Sequence, residues 1–298
     1  MRSKLIIATR GSKLALHQSE LVKALLLENF NGLEVEFLEV TTRGDVDQKT
    51  PLSAFGNSGV FVKGLEEKLL GGEADLAVHS LKDVPSDFHP ELVLAAFPLR
   101  EDVRDVLITK NNCHWTELRE GSVVGTSSPA RKEQLKLLRP DLVFKDIRGN
   151  VDTRVQKVMD GEYDATILAA AGLKRLGYSI AEESFFPLDE AVPSPGQGAL
   201  VIQARKNDLE LLEMLAQIND SGIEKQVKAE RQFMKVIGGG CRFPVAAYAE
   251  FEAGKVVFRA IAHKPHWPKI EKVKVEFLEE DTDLQAEELA RKLLERNG

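Results

Sequence analysis

Apolar runs of strand length alternate with segments of helical periodicity up to about residue 203, a pattern that predicts α/β architecture with a largely parallel sheet. Residues 5–8 (Leu-Ile-Ile-Ala) read as the first strand. Thr9-Arg10-Gly11-Ser12 then leads into a helix whose apolar positions Leu14, Leu21, Leu25 and Leu26 approximate the helical period. Residues 35–40 form a second strand, with Glu34, Glu36 and Glu39 assigned to its polar face. The stretch 41–59, holding Gly44, Pro51, Gly56 and Gly59, is too long and too punctuated for an ordinary connection and reads as a mobile loop over a site. A helix over about residues 60–70 follows it, and a buried strand over 75–78 comes next.

An internal echo bears on the architecture. Gly72-Glu73-Ala74-Asp75-Leu76-Ala77-Val78 recurs as Gly161-Glu162-Tyr163-Asp164-Ala165-Thr166-Ile167, each copy following a helix and opening a strand. The first strand and polar turn have a counterpart in Val123-Val124-Gly125-Thr126-Ser127-Ser128. Helix–Gly–strand junctions share a chemistry of their own, so the echo is either that local chemistry or a duplicated lobe. Duplication is the expectation taken forward. The chain crosses between lobes near 98–105 and again near Pro193-Ser194-Pro195-Gly196-Gln197-Gly198, which suits a hinge.

Beyond Gln203 the pattern changes to a helix over about 224–236, with Ser221 and Glu224 spaced as a capping box. Strands near 245–251, 256–262 and 273–278 and a closing helix from Thr282 make a small α+β domain. The expected division is 1–98 with 194–217, then 99–193, then 218–298.

A chain of 298 residues exceeds what one core ordinarily fills, which agrees with several domains. With 43% hydrophobic and 29% charged residues, neither a disordered nor a membrane class is indicated. No apolar run approaches the length of a membrane span, and Met1-Arg2-Ser3-Lys4 leads straight into a strand, so a cytoplasmic location is expected. Two cysteines, Cys113 and Cys241, are too few for a disulfide framework. A net charge of −7 argues against nucleic acid as partner, so an anionic ligand needs a local basic cluster.

Such a cluster is present. Both strand-to-helix turns put backbone N–H groups and hydroxyls at a helix N-terminus, where an anion is favoured, although Ser and Thr are equally ordinary N-caps. Arg10, Arg131, Lys132, Arg148, Arg154 and Arg175 lie near them in sequence. Facing turns in two lobes would take a ligand with several carboxylates or phosphates. Arg148-Gly149-Asn150-Val151-Asp152-Thr153-Arg154 offers two guanidinium groups at a loop-to-helix junction, as a carboxylate clamp or as solvated helix charge, with Asn150 or Asp152 available as cap.

His79-Ser80-Leu81-Lys82-Asp83 falls at the end of a strand, where open α/β sheets bind ligands. There Asp83 can stabilise a developing cation and Lys82 can hold a carboxylate, or the two form a surface pair before Pro85. Cys241, after Gly238-Gly239-Gly240, is an accessible thiol suited to nucleophilic attack or to attachment, whereas Cys113 belongs to an ordinary loop. His263 and His266 lack metal-site spacing, and no metal is expected.

Taken together these segments resemble the porphobilinogen deaminases (hydroxymethylbilane synthases). The resemblance is carried by Ala8-Thr9-Arg10-Gly11-Ser12, Thr42-Arg43-Gly44-Asp45, Ala77-Val78-His79-Ser80-Leu81-Lys82-Asp83-Val84-Pro85, Gly125-Thr126-Ser127-Ser128, Arg148 to Arg154, residues 168–177, Pro195-Gly196-Gln197-Gly198 and Gly239-Gly240-Cys241. It implies two lobes like type II periplasmic binding proteins, with doubly wound mixed sheets, plus a small α+β C-terminal domain. It also implies a dipyrromethane cofactor on Cys241 through a thioether.

Members join four porphobilinogen units head to tail on that primer, lose ammonia at each addition and release hydroxymethylbilane. Carried over, Asp83 is the catalytic carboxylate, stabilising the azafulvene cation. Lys82, Asp83, Thr126, Ser127, Ser128, Arg131, Arg154 and Gly172 contact the cofactor. Arg10, Ser12, Arg148, Arg154 and Arg175 bind substrate, and the enzyme is a monomer. The chain departs from the family at Ala54, Ser58 and Ala130, where cations are common, and Lys132 cannot copy a bidentate Arg. Weaker binding or slower elongation is therefore expected, with a gain from Ala130→Arg or Ser58→Lys. The alternatives are a degenerate member, or a two-lobed small-molecule-binding protein, which has no need of a thiol after three glycines.

Overall fold

The computed structural model describes residues 2–42, 44, 59, 61–238, 243–252 and 254–297. The chain opens with β1 (Lys4–Arg10), α1 (Lys13–Asn29), β2 (Glu34–Val40), α2 (Lys63–Leu70), β3 (Leu76–Ser80) and β4 (Leu92–Ala96). It continues with β5 (Asp105–Thr109), β6 (Val123–Gly125), α3 (Pro129–Leu138), β7 (Val143–Lys145), α4 (Val151–Met159), β8 (Ala165–Ala169) and α5 (Ala170–Arg175). Last come β9 (Leu200–Arg205), α6 (Leu209–Gln217), α7 (Ser221–Ile237), β10 (Val245–Glu252), β11 (Lys255–Ala262), β12 (Glu271–Leu278) and α8 (Thr282–Asn297).

Two compact units result, one built from the described residues up to 42, 59–101 and 198–224, the other from 102–197 and 225–297. The first holds a five-stranded sheet of order β2-β1-β3-β9-β4. β1 runs parallel to β2 and β3, while β9 returns antiparallel. Leu5 and Ile7 of β1 pack under Val22 and Leu26 of α1, and Ala8 and Ala77 pack with Leu65 and Leu69 of α2 on the opposite face. Burial on both faces is why these strands read as continuous apolar runs.

The buried stripe of α1 is Gln18, Ser19, Val22 and Leu26, so the expected Leu14, Leu21 and Leu25 stripe is corrected to partly buried positions. Polar partners explain the shift: Gln18 donates to Ser80 Oγ at 2.9 Å and Ser19 to Thr9 Oγ1 at 2.8 Å. Glu39 has the pleat parity of Val35 and Phe37, opposite to Glu34 and Glu36, so the three glutamates do not share a face.

The second unit repeats the plan. Its four-stranded sheet has the order β7-β6-β8-β5, with β6 parallel to both neighbours and β5 antiparallel. Strand for strand this matches β2-β1-β3-β9, and the sequence echo falls at equivalent places. Gly72 and Gly161 end their helices with φ of 71° and 83°, a region that favours glycine. Asp75 then accepts from the Ile6 N–H at 2.8 Å, and Asp164 from the Val123 N–H at 2.7 Å.

In the C-terminal segment, β10-β11-β12 form an antiparallel sheet. Alternate residues Val245, Ala247 and Ala249 join Phe233, Phe258, Ala286 and Ala290 in one core, under α7 and α8. Ala246, Tyr248 and Ile261 face the other way and pack with Val103, Ala130 and Val192. Helix α6, absent from the sequence reading, lies under β4 and supplies Leu211, Met214 and Leu215 to the first core. The cap of α7 is Asp220, whose carboxylate accepts from the Ile223 N–H at 2.9 Å, and not the expected Ser221. Glu224 instead accepts from the Asn219 side chain. Among the described residues no helix is long and apolar enough to cross a membrane.

Candidate active site

In the first unit, parallel pairing puts the ends of β1, β2 and β3 on one carboxyl-terminal edge, bringing Arg10, Ser12, Thr42, Lys82 and Asp83 to that edge. Strand β3 runs on through His79 and Ser80, so only Leu81, Lys82 and Asp83 lie beyond it, in a single 3-10 turn. Leu81 is buried and anchors the turn, while Asp83 is exposed and Lys82 half-buried. The Leu81 N–H donates to Ala199 O at 3.0 Å, and Gln18 holds Ser80.

Ser12 caps α1, its hydroxyl accepting from the Ala15 N–H at 3.3 Å. An accepting hydroxyl keeps its own hydrogen for a ligand. The Arg10 guanidinium lies 4.2 Å from the centre of the Phe61 ring. A Cβ at position 44 would come within 2.2 Å of that ring, so any larger residue there requires the Phe61 ring to move.

In the second unit the ends of β6, β7 and β8 share the corresponding edge, which gathers Thr126, Ser127, Ser128, Arg148, Arg154, Gly172 and Arg175. Ser128 caps α3 as Ser12 caps α1, accepting from the Arg131 N–H at 3.4 Å. Thr126 accepts from the Ser128 N–H at 3.2 Å. Ser127 is engaged with the chain, donating to Ile147 O at 3.0 Å and accepting from Ile147 N–H at 3.2 Å. At α4 neither Asn150 nor Asp152 caps with its side chain: Asp152 accepts from Tyr178, and Arg154 Nε donates to Gly149 O at 2.8 Å. Gly172 is buried in α5, and Arg175 ends that helix.

Arg131 is placed differently from a simple ligand-binding cation. Nε and Nη2 donate to the two Asp105 oxygens at 2.9 and 2.7 Å, Nη1 to Ile167 O and Nη2 also to Gln197. Gln197 closes the network by donating to Asp105 and to Val103 O. A single guanidinium N–H is left over.

Ala130 is 6% exposed and packs in the apolar cluster with Val192 and Tyr248, so the site expected to lack a cation is occupied by packing. Ala130→Arg is thus expected to lower stability by about 3 kcal/mol through overpacking and charge burial, without the gain in binding expected above. Urea denaturation beside steady-state kinetics reads both. Cys241, Ala54 and Ser58 lie outside the described residues, as does most of the stretch read as a mobile loop.

The sequence reading passed over Gln18 and Asp105, which organise these edges, and the fully buried Glu230. Glu230 accepts from the Gly196 N–H at 2.7 Å and the Ala249 N–H at 3.1 Å, tying the Pro-Gly-Gln-Gly segment to β10. A Glu inside an otherwise apolar helical stripe was the available signal. Among the described residues no cluster of potential metal ligands occurs.

Residues 5–213 match the family model "Porphobilinogen deaminase, dipyromethane cofactor binding domain", and residues 224–296 match "Porphobilinogen deaminase, C-terminal domain". The chain belongs to the porphobilinogen deaminase family. A porphobilinogen deaminase of Roseiflexus sp. (strain RS-1) is 46% identical over 88% of this chain and 86% of its own. One from Sulfurimonas denitrificans is 47% identical over 88% of this chain and 85% of its own. Among solved structures, a methionine-binding protein, MetQ, aligns with a TM-score of 0.47 at 13% identity, over 75% of this chain and 93% of that one.

Each edge, taken by itself, carries donors of the kind that the cofactor named by the family model needs. The first has a helix N-terminus with the Ser12 hydroxyl, Arg10 and Lys82, the second a helix N-terminus with the Ser128 hydroxyl and several arginines, all groups able to hold a carboxylate.

Proposed function

We propose that this chain is an active porphobilinogen deaminase, joining four porphobilinogen units head to tail with loss of ammonia and releasing hydroxymethylbilane. The observation that carries the reading is Asp83 at the end of β3, presented by a turn held from both sides, in a chain of this family.

When bound, the dipyrromethane supplies the pyrrole carbon from which the product grows, and Cys241 is its thioether anchor. Asp83 stabilises the positive charge that develops as ammonia leaves the substrate, and a fixed carboxylate does this without reorganisation. Lys82, Arg10, Arg148, Arg154 and Arg175 bind acetate and propionate groups, with Ser12 and Ser128 donating through the hydrogens that capping leaves available. Thr126, Ser127, Gly172 and Arg131 would contact the cofactor, Arg131 through the one N–H its protein partners leave over. On this reading the enzyme is a cytoplasmic monomer with no membrane partner, and its net charge of −7 disfavours nucleic acid as a partner.

Intact-protein mass spectrometry tests the anchor. A mass increment of two pyrrole units is expected on the wild type and absent from Cys241→Ser, and active enzyme with an unmodified thiol would defeat the assignment.

A further inference from the structure

Beneath the Asp83 turn runs a buried polar chain that the reaction as described does not use. The Gln203 side-chain amide donates to Glu66 Oε1 at 2.9 Å, and His79 Nε2 meets Gln203 Oε1 at 3.0 Å. Relative exposures are 0% for Gln203, 6% for His79 and 8% for Glu66, and the three come from β9, β3 and α2.

The chain has a direction. A carboxylate only accepts, so the NH2 of Gln203 must face Glu66 and its oxygen must face His79. Nε2 of His79 therefore carries the hydrogen, and the ring is fixed in one neutral tautomer.

We propose that Glu66, Gln203 and His79 are positioning residues for Asp83: they fix the His79 ring in the Nε2–H tautomer and tie the end of β3, the strand that leads into the Asp83 turn, to β9 and α2. Gln203 from β9 faces His79 directly, Glu66 from α2 meets the far side of the Gln203 amide, and the cation Arg10 at the end of β1 acts on the ring through space. Burial lowers the His79 pKa to about 4, against the upward pull of the Gln203 hydrogen bond and with Arg10 lowering it further. Position is set through the backbone, since His79 and Ser80 pair with Val201 and Leu200 of β9, the strand that carries Gln203. An apolar trio of similar volume would pack as well and cost less to bury, so packing alone does not account for the chain.

The inference rests on the assignment of Asp83, and the tests separate the two. Histidine 15N NMR of the holoenzyme is expected to show His79, assigned by its loss in His79→Asn, as a neutral Nε2–H ring from pH 8 down to about pH 5. An Nδ1–H tautomer, or titration near the ordinary histidine value, overturns the proposal without any functional variant.

Glu66→Gln keeps the volume but lets the Gln203 amide turn over. It is expected to mix the tautomers and lower kcat about tenfold with KM within about twofold. Gln203→Glu removes the amide that bridges the two and is expected to lower kcat at least as much, with KM again within about twofold; a purely structural contact would move stability and leave kcat in place. Wild-type kcat in Glu66→Gln beside an inactive Asp83→Asn defeats the positioning chain alone. Retained turnover in Asp83→Asn defeats the Asp83 assignment.

Discussion

Asp83→Asn is expected to lower kcat by about a hundredfold to a thousandfold while the protein folds and retains its cofactor. Asparagine has the shape of aspartate, and Asp83 is exposed at the end of a turn whose hold is elsewhere, in buried Leu81 and in the Leu81 N–H to Ala199 bond. Stability should therefore change by less than about 0.5 kcal/mol, as for surface substitutions. What the amide cannot do is balance a full positive charge as ammonia departs. Product formation in single turnover, with intact mass to confirm the cofactor, checks this. Turnover within tenfold of wild type would remove Asp83 from the role.

The second large effect concerns stability. Removing the Arg131 guanidinium in Arg131→Met would leave Asp105, 2% exposed, and Gln197, fully buried, facing each other without their cation. Breaking a buried ion pair in this way costs about 3–5 kcal/mol. The double variant Arg131→Met with Asp105→Leu should recover much of that, because no charge is then buried alone. Urea denaturation of the apo and cofactor-bound forms decides the matter. A loss below about 1 kcal/mol in Arg131→Met would show that the network does not hold the fold and that Arg131 acts mainly on the ligand.

What could be read from the sequence follows from the range over which each feature is determined. The Ser12 and Ser128 caps are set by neighbours three residues away and were legible; Asp83 was legible from the strand that precedes it, although its turn is held by distant Ala199 and Gln18. The echo around Asp75 and Asp164 was legible because a helix end, a glycine and a strand start each leave a local mark. Arg131 was legible as a cation but not in its engagement, because its partners Asp105 and Gln197 lie 26 and 66 residues away. Ser127 is similar, its hydroxyl being occupied by Ile147 at a separation of 20 residues. Where two local candidates compete, composition cannot choose: Ser221 fitted a capping box, yet Asp220 makes the bond. Ala130 shows the same limit, since a small residue in a polar context reads as a missing cation until the sheet that covers it is known.

The first unit is discontinuous in the chain, and this orders events on the ribosome. Its sheet has β9 between β3 and β4, and β9 is made only after residue 200, by which time all four strands β5 to β8 of the other sheet exist. A nascent chain can therefore complete the second lobe's sheet while β3 and β4 of the first still wait for the strand that joins them. Until then the backbone of β3, the strand leading to Asp83, is an unprotected edge open to wrong partners. The carboxylate on which turnover depends is thus among the last features of its lobe to be set in place.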